Sequence, residues 1–284
     1  MPRVILHADD LGVSEGTNEA IIDSHIRGVL TSTSIVATTP AFTDATRRLL
    51  EAPELDVGAH LSLNLGRPVA PIDEVGLLTN RDGLLLPSFA RHLRRSQDPA
   101  YLRQVSIEVE AQLERMHDAD LQLSHADSQQ HVHMIPGIRD VIAERVAAAG
   151  ITHLRHSVEP WRGHPDIGRP TNLFKCATVA MFAACRPHHA PKPDKRVRFV
   201  GLRHTGRMTE HRLIHYLENL GPGSWEIVMH PGTGDFDGHH DVNPTIADYL
   251  RLPERLMEWE VLTSSRVRRC IVEAGLSTIR FADL

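Results

Sequence analysis

The sequence is poor in cysteine, and its few cysteines show no pairing pattern. Three are present among 284 residues, Cys176, Cys185 and Cys270, and no two of them form a Cys-X-X-Cys spacing. So sparse and odd a set argues against a disulfide framework and fits a reducing compartment. All three lie in segments with a helical pattern, so we expect them to fill the core as small apolar side chains.

The chain also lacks an excess of positive charge and any long apolar run. Lys and Arg total 31 against 36 Asp and Glu, which gives a net charge of −5. Non-specific nucleic-acid binding needs a basic surface and is not expected. No apolar run is long enough to span a bilayer, so no membrane partner is expected. No secretory leader precedes the first predicted strand, and we expect a cytoplasmic protein.

Strand-like and helix-like segments alternate along the whole chain. The length suits one large domain or two modest ones, and a hydrophobic fraction of 41% allows a sizeable core. Strands that alternate with helices indicate a parallel sheet or barrel whose active-site loops lie on one face.

Several connecting segments are predicted between these elements. Residues 64–98 hold many glycines and prolines among apolar residues, and so long a connection is typical of a lid. Residues 186–196 and 232–243 are expected to be loops, and the latter includes His239 and His240 as solvated surface. The run Asp127–Pro136 is predicted to be a polar loop, and Ile279–Phe281 a last short strand.

The stretch Val4–Asp10 organises the rest of the prediction. Apolar residues lead to a polar tip that ends in two adjacent carboxylates, Asp9 and Asp10. This pattern indicates a buried strand whose C-terminal end presents negative charge. Neighbouring carboxylates repel each other, and a metal bound by one aspartate with the other as base would resolve the repulsion. The alternative is that both residues merely cap the following helix.

Polar groups also stand at the predicted ends of other strands. The chain has 19 histidines, many of them at such positions, which favours a metal or acid–base site. The groups are Asp9 and Asp10, His60, the run from His125 to His133, Arg155 and His230. Strand ends of one parallel sheet converge on one face, so these groups could surround one divalent ion.

Each group has a simpler explanation when it is taken alone. His60 is by itself more typical of a packing histidine, and His230 before Pro-Gly could cap a turn. His131 and His133 would share a face if the segment were extended. The combination is what favours a functional site.

The ordered motifs resemble the YdjC-like carbohydrate deacetylase family, which includes chitooligosaccharide deacetylases. The resemblance spans nearly the whole chain. It is carried by His7–Ser14 with Asn18 and Ala20, Thr31–Ser34, Gly58–Leu63, His125–Ser128, His131–His133 with Pro136, Arg155, and His230–Gly232.

The resemblance implies a distorted (β/α) barrel that forms one catalytic domain over residues 1–284. It further implies a divalent metal ion, removal of an N-acetyl group from an amino sugar or glycoside, and a cytoplasmic, often dimeric enzyme. Asp10 and His60 match metal-ligand positions, and Asp9 matches the general base. His230 matches the general acid, while Asp127 and Arg155 would orient groups around the site.

Gln129 departs from the family pattern, which has a metal-binding histidine at this position. An amide oxygen suits Mg²⁺ or Mn²⁺ better than Zn²⁺, with Co²⁺ and Ni²⁺ as further candidates. Three outcomes are open: Gln129 binds the ion, His131 replaces it after a small shift, or metal affinity is reduced or lost.

Two rival functions follow from the same residues. Loss of metal affinity at Gln129 would leave a non-catalytic sugar-binding protein on this scaffold. Another metal hydrolase, such as a phosphoesterase, would need more basic residues at the site than Arg155 alone.

Overall fold

The protein is a parallel α/β structure, seen in a computed structural model that describes residues 2–161, 163–185, 196–234 and 244–284. Within these ranges the strands are β1 Pro2–Leu11, β2 Ser32–Ile35, β3 Asp56–Leu61, β4 Leu123–Ser128, β5 His153–Leu154, β6 Val197–Val200, β7 Gly223–Met229 and β8 Ser277–Thr278.

Helices follow most of these strands. In the same ranges they are α1 Glu15–Ile26, α2 Phe42–Leu49, α3 Phe89–Arg95, α4 Pro99–Asp118, α5 Ile138–Ala148, α6 Pro170–Ala184, α7 Glu210–Asn219, α8 Pro244–Leu250, α9 Pro253–Leu262 and α10 Ser265–Glu273. Local signals set several of their starts. Asp98, for example, accepts the Ala100 N–H, and Pro99 follows it as the first residue of α4.

The strands form one sheet in the order β5-β4-β3-β2-β1-β7-β6, and β8 also pairs with β1. Every pairing is parallel, and the sheet curls into a half-barrel surrounded by helices. The register aligns the strand ends, with His60 opposite Asp127 and Ala8 opposite Met229. The predicted α/β barrel-like fold is therefore confirmed, and in the described residues no pairing of β5 with β6 closes it.

The two faces of β1 have different surroundings, as strand geometry requires. Val4, Leu6 and Ala8 belong to the main apolar core, which packs under the helices. His7 and Asp9 belong to the other face, where His7 packs edge-on against Phe281 with ring centres 5.9 Å apart. The inside of the half-barrel is thus polar near the strand ends.

Two local predictions are wrong. Ile279–Phe281 is not a strand: β8 ends at Thr278, and Phe281–Asp283 is a short 3₁₀ helix with an Arg280–Asp283 capping box. The run from Asp127 is not wholly a loop, because β4 continues to Ser128 and a 3₁₀ helix, Gln129–Met134, follows. Local side-chain bonds accompany both 3₁₀ helices: Arg280 bonds Asp283 in the first, and the Ser128 hydroxyl accepts the His133 N–H in the second.

The remaining predictions have mixed outcomes. Cys176 and Cys270 are buried as expected, whereas Cys185 at the end of α6 is exposed, so its assignment to the core is wrong. The predicted loops 186–196 and 232–243, with His239 and His240, lie mostly outside the described residues. In the part of the chain that the structure describes, no helix combines the length and the apolar character needed to traverse a bilayer.

The predicted lid, residues 64–98, is firmly anchored to the barrel at its first half. Glu108 of α4 is buried and accepts the N–H groups of Val69 and Ala70 at 3.0 and 3.1 Å. Val75 and Leu78 contribute to the main core. A role of this segment as a lid remains a prediction.

Gly58 in β3 leaves room for the ring of His125, and this contact generates a testable prediction. A Cβ at Gly58 would lie 2.4 Å from Nε2 of His125, whose ring stacks on Phe281 with centres 3.9 Å apart. The buried ring has little freedom to move, so Gly58→Ala should lower the free energy of unfolding by about 1–3 kcal/mol. Urea unfolding measures the loss. Gly76→Ala is the matched control, because its nearest neighbour is 3.7 Å away, and it should change stability by less than about 0.5 kcal/mol. Equal losses in the two variants would contradict the prediction.

Candidate active site

The turn after β1 presents Asp9 and Asp10 at the centre of the sheet. Asp10 has a φ of 78°, in the left-handed region that few residues other than glycine adopt. The cap of α1 is Ser14, whose hydroxyl accepts the Thr17 N–H at 3.1 Å. The two aspartates are therefore not the helix cap, and both are buried. Buried adjacent carboxylates need partners, and the surrounding strands supply them.

Arg155 is the main partner of this negative charge. Its fully buried guanidinium donates to both oxygens of Asp9 at 2.8 and 3.1 Å, to Glu226 at 2.8 Å, and lies 2.6 Å from Asp127. Burial raises the pKa of Asp9, but the charge of Arg155 and a hydrogen bond from His7 together hold it well below its usual range. Asp9 is consequently a fixed, ionised carboxylate.

His60 lies between the other predicted ligands. Its Nδ1 is 2.6 Å from Oδ1 of Asp127, and its Nε2 is 2.7 Å from Oε1 of Gln129 and 3.7 Å from Oδ1 of Asp10. Burial lowers the pKa of His60, but the carboxylates of Asp127, Asp9 and Asp10 together outweigh this effect and the pKa rises to about 9. His60 is therefore not a simple packing histidine, because both ring nitrogens face acceptor oxygens.

Side chains that could hold a metal ion form two groups among the described residues. One consists of Asp9, His60 and Asp127, and the other of His7, His125 and Asp127, with ligand atoms within 4.8 Å of one another in each. Asp127 and Asp9 already hold the Arg155 cation, which would repel an ion at the first group.

A set of donor atoms that leaves Asp9 and Asp127 to Arg155 suits a divalent ion better. These atoms are Nε2 of His60, Oε1 of Gln129 and Oδ1 of Asp10. Nε2 lies 2.7 Å from Oε1 and 3.7 Å from Oδ1. Ligands of one ion, each about 2.0–2.5 Å from it, have separations of this order. Two oxygens and one imidazole nitrogen fit a hard or borderline cation, so the residues present fit the implied metal.

His131 lies outside both groups. It and Gln130 have φ values of 56° and 52°, so the chain turns sharply after Gln129 and the segment is not extended. Nδ1 of His131 is 3.0 Å from the Ser157 hydroxyl, which also lies 3.2 Å from Nε2 of His133. Burial holds the pKa of His131 well below its usual range, so the ring is neutral. The turn presents Gln129, rather than His131, to His60.

His230 approaches the site from the end of β7. Its Nε2 is 3.7 Å from Oδ2 of Asp9. Its backbone N–H donates to Glu258 at 2.6 Å, and its side chain is 12% exposed. The imidazole therefore reaches both Asp9 and solvent, as a proton donor to a substrate must.

The sequence prediction missed three charged residues of the site. Glu226 on β7 binds Arg155, while Arg255 and Glu258 on α9 bind Asp10 and His230. A carboxylate inside the apolar run of β7 was a usable signal, because such strands seldom bury an unpaired charge. The residue pattern of α9 resembles that of an ordinary surface helix, so the sequence contains no comparable signal for Arg255 and Glu258.

Replacement of Arg155 tests the charge balance. Arg155→Met would leave Asp9, Asp127 and Glu226 without their shared cation, at a cost of roughly 3–5 kcal/mol of unfolding free energy at pH 7. The lowered pKa values of Asp9 and Asp127 mean that their stabilising contribution is present above about pH 4 and is lost at lower pH. The difference from wild type should therefore stay nearly constant down to about pH 4 and narrow as the pH falls below 4, as urea unfolding at several pH values would show. Arg145→Met on α5 is the control and should be nearly neutral. A loss independent of pH would contradict this account.

Comparison with known proteins places the chain in a family. The profile of the family described as YdjC-like protein matches residues 3–273. A carbohydrate deacetylase of Geobacillus stearothermophilus is 30% identical over 100% of this chain and 98% of its own length. A chitooligosaccharide deacetylase of Salmonella paratyphi B is 30% identical, with 100% of both chains covered. The crystal structure of a proposed cellobiose-phosphate cleavage protein from Enterococcus faecalis has a TM-score of 0.72 at 22% identity, covering 99% of this chain and 98% of that one, so the fold is shared. Because the profile spans nearly the whole sequence, this chain belongs to the YdjC-like protein family.

Proposed function

We propose that this protein is a divalent-metal-dependent hydrolase that removes the N-acetyl group from an amino sugar or an N-acetylated glycoside. The observation that carries the proposal is the cluster of Asp10, His60 and Gln129 donor atoms, in which His60 lies within 4.8 Å of Asp9, together with the 3.7 Å approach of His230 Nε2 to Asp9. The names of the two curated relatives support the reaction and the substrate class.

Asp10, His60 and Gln129 would hold the ion. A divalent ion bound there would polarise the acetyl carbonyl and make a water molecule more acidic. The amide oxygen of Gln129 favours Mg²⁺ or Mn²⁺, which prefer oxygen ligands.

Asp127 would orient His60 for this role. Its Oδ1 is 2.6 Å from Nδ1 of His60, so Nδ1 keeps its proton and Nε2 is the nitrogen that becomes a ligand. A histidine ligand commonly donates its other N–H to a carboxylate in this way. Asp127 thus acts through His60, and Arg155 acts through Asp9.

Asp9 is placed to accept a proton from the attacking water. Arg155 holds both of its oxygens, which fixes their direction and makes Asp9 a poor candidate for metal ligation. The carboxylate remains ionised over the whole physiological pH range because its pKa is low. A fixed base next to the reacting water contributes through orientation as well as through basicity.

His230 would protonate the departing amine. Nε2 faces Asp9 at 3.7 Å, so an acetamide carbon attacked beside Asp9 has its nitrogen within reach of the imidazole. Glu258 lies 3.9 Å from Nδ1 and would help to hold the imidazole in place. Base and acid thus lie close together, as proton transfer from water to the leaving nitrogen requires.

Residues 64–98 and the loop 232–243 would shape the sugar pocket. A cytoplasmic location and a homodimer complete the proposal; both are predictions from the sequence and the family resemblance.

A non-catalytic sugar-binding protein is the second candidate. It is favoured by the direct contact of His60 with Gln129, since a protonated Nε2 does not bind metal. The deciding experiment measures acetate release from a panel of N-acetylated glycans with added Mg²⁺, Mn²⁺, Zn²⁺, Co²⁺ or Ni²⁺, with phosphate esters in the same panel. Glycan binding without metal binding or acetate release would favour the second candidate. Phosphate release would indicate a phosphoesterase.

Substitutions of Asp9 and Asp10 should affect different steps, the hydrolysis in one case and metal binding in the other. Asp9→Asn should lower acetate release by a factor of about 10²–10⁴ but leave Mn²⁺ binding within a few-fold of wild type. Asp10→Asn should weaken Mn²⁺ binding itself, because a charged oxygen ligand is lost. Acetate assays and Mn²⁺ titration on the same preparations measure both. Activity near wild type in Asp9→Asn would remove this residue from the mechanism.

Gln129 should set the choice of metal. Gln129→His replaces a hard amide oxygen with an imidazole nitrogen, so the affinity for Zn²⁺ should rise by about tenfold or more relative to the affinity for Mg²⁺. Isothermal titration with each ion measures the ratio. Gln130→His is the matched control, since this exposed side chain bonds Asn64 rather than His60. An unchanged ratio in Gln129→His would show that residue 129 is not a ligand.

A further inference from the structure

Helix α9 carries a buried arginine that contacts one of the twin carboxylates. Arg255 is 1% exposed, and its Nη1 donates to Oδ2 of Asp10 at 2.9 Å. A guanidinium withdrawn from water is tolerated only where acceptors compensate it. The contact is therefore a strong restraint on both side chains.

The guanidinium itself is held from several sides. Its Nη2 donates to the Thr17 hydroxyl at 3.3 Å and the Pro231 carbonyl at 3.4 Å, and the Tyr249 ring lies 5.1 Å away. The Gly232 N–H donates to the Arg255 carbonyl at 3.2 Å, and a Cβ at Gly232 would lie 2.9 Å from Nε. Arg255 is thus fixed to the first turn of α1 and to the turn after His230, and it cannot follow a movement of Asp10.

The two oxygens of Asp10 consequently face different partners. Oδ2 faces Arg255 at 2.9 Å, and Oδ1 lies 3.7 Å from Nε2 of His60. The backbone of Asp10 is in the left-handed region, which persists only where the surroundings enforce it. A free carboxylate can bind a cation with one oxygen or with both.

We propose that Arg255 is a positioning residue that reserves Oδ2 of Asp10, so that Asp10 offers a divalent ion only Oδ1. The inference rests on the proposed function. A ligand that binds through one oxygen leaves more positions for water and for the acetyl oxygen. Arg255 also places a positive charge close to the ion, which lowers the affinity for it. The coordination positions that remain open favour the reaction.

Metal affinity and turnover should change in opposite directions when Arg255 is replaced. Arg255→Met frees Oδ2 and removes a cation, so the variant should bind Mn²⁺ about tenfold more tightly, measured by electron paramagnetic resonance of free Mn²⁺ without substrate. The turnover number should fall by about tenfold, with a smaller change in KM. Arg255→Lys keeps the charge but loses the planar fork, and both quantities should shift in the same directions by about threefold. The lysine variant decides the question if the methionine variant does not fold.

The control is Arg266→Met on α10, a surface arginine with a 70% exposed side chain that pairs with Glu210. It should leave both measurements at wild-type values. A merely structural role of Arg255 predicts that metal binding and turnover weaken together, and that result would overturn the inference, as would no change in either. Wild-type protein that neither binds Mn²⁺ nor releases acetate would instead refute the proposed function, and this inference would fall with it.

Discussion

The contact of Arg155 with three carboxylates requires the curvature of the sheet. Arg155 follows β5 at one edge, and one of its partners, Glu226, belongs to β7, five strands away in the sheet order. Adjacent strands are about 4.8 Å apart, so a flat sheet would separate these strands by roughly 24 Å, far beyond the reach of an arginine side chain. The observed distance of 2.8 Å is compatible only with a curled sheet. The guanidinium thus links β5 to β1, β4 and β7 across the inside of the half-barrel.

This link also explains how the interior can be polar. Asp9, Asp127 and Glu226 are buried, and each would be costly without a partner. One delocalised cation with five donors can serve several acceptors at once, which a lysine ammonium could not do with the same geometry. Arg255 is a second buried cation of the site and donates to Oδ2 of Asp10. Arg155 binds both oxygens of Asp9, and Arg255 binds Oδ2 of Asp10. Oδ1 of Asp10 is bound by neither arginine and is the oxygen nearest His60.

Much of this site could be predicted from the sequence because its residues follow strands. A buried parallel strand has a recognisable apolar run, and the register brings the ends of such runs together. Asp9, His60, Asp127 and Arg155 were found in this way. Arg255 and Glu258 were not, because they lie one turn apart on a helix whose buried residues are charged in its first half, and the 3.6-residue pattern does not distinguish buried charges from solvated ones.

The position of His131 illustrates a different limit. The alternation His131-Val132-His133 would place both imidazoles on one face if the segment were extended, but two consecutive left-handed residues turn the chain there. Conformations of this kind are enforced by tertiary contacts, such as the bond from Asn64 to Gln130, and have no signature in sequence periodicity. The same turn is what brings Gln129 to His60.

His60 is where protons and metal would compete. Asp127 stabilises a proton on Nδ1, and Gln129 accepts one from Nε2. A glutamine at position 129, where the family resemblance implies a histidine, would therefore have two effects on an ion. It would supply a weaker ligand atom, and it would also supply an acceptor that stabilises the proton which the ion must displace. An imidazole at position 129 could take the neutral form and would compete less for that proton. Both effects would lower the affinity for the proposed ion, and the contact of Arg255 with Asp10 would lower it further. An ion at this site would therefore exchange readily rather than stay permanently bound.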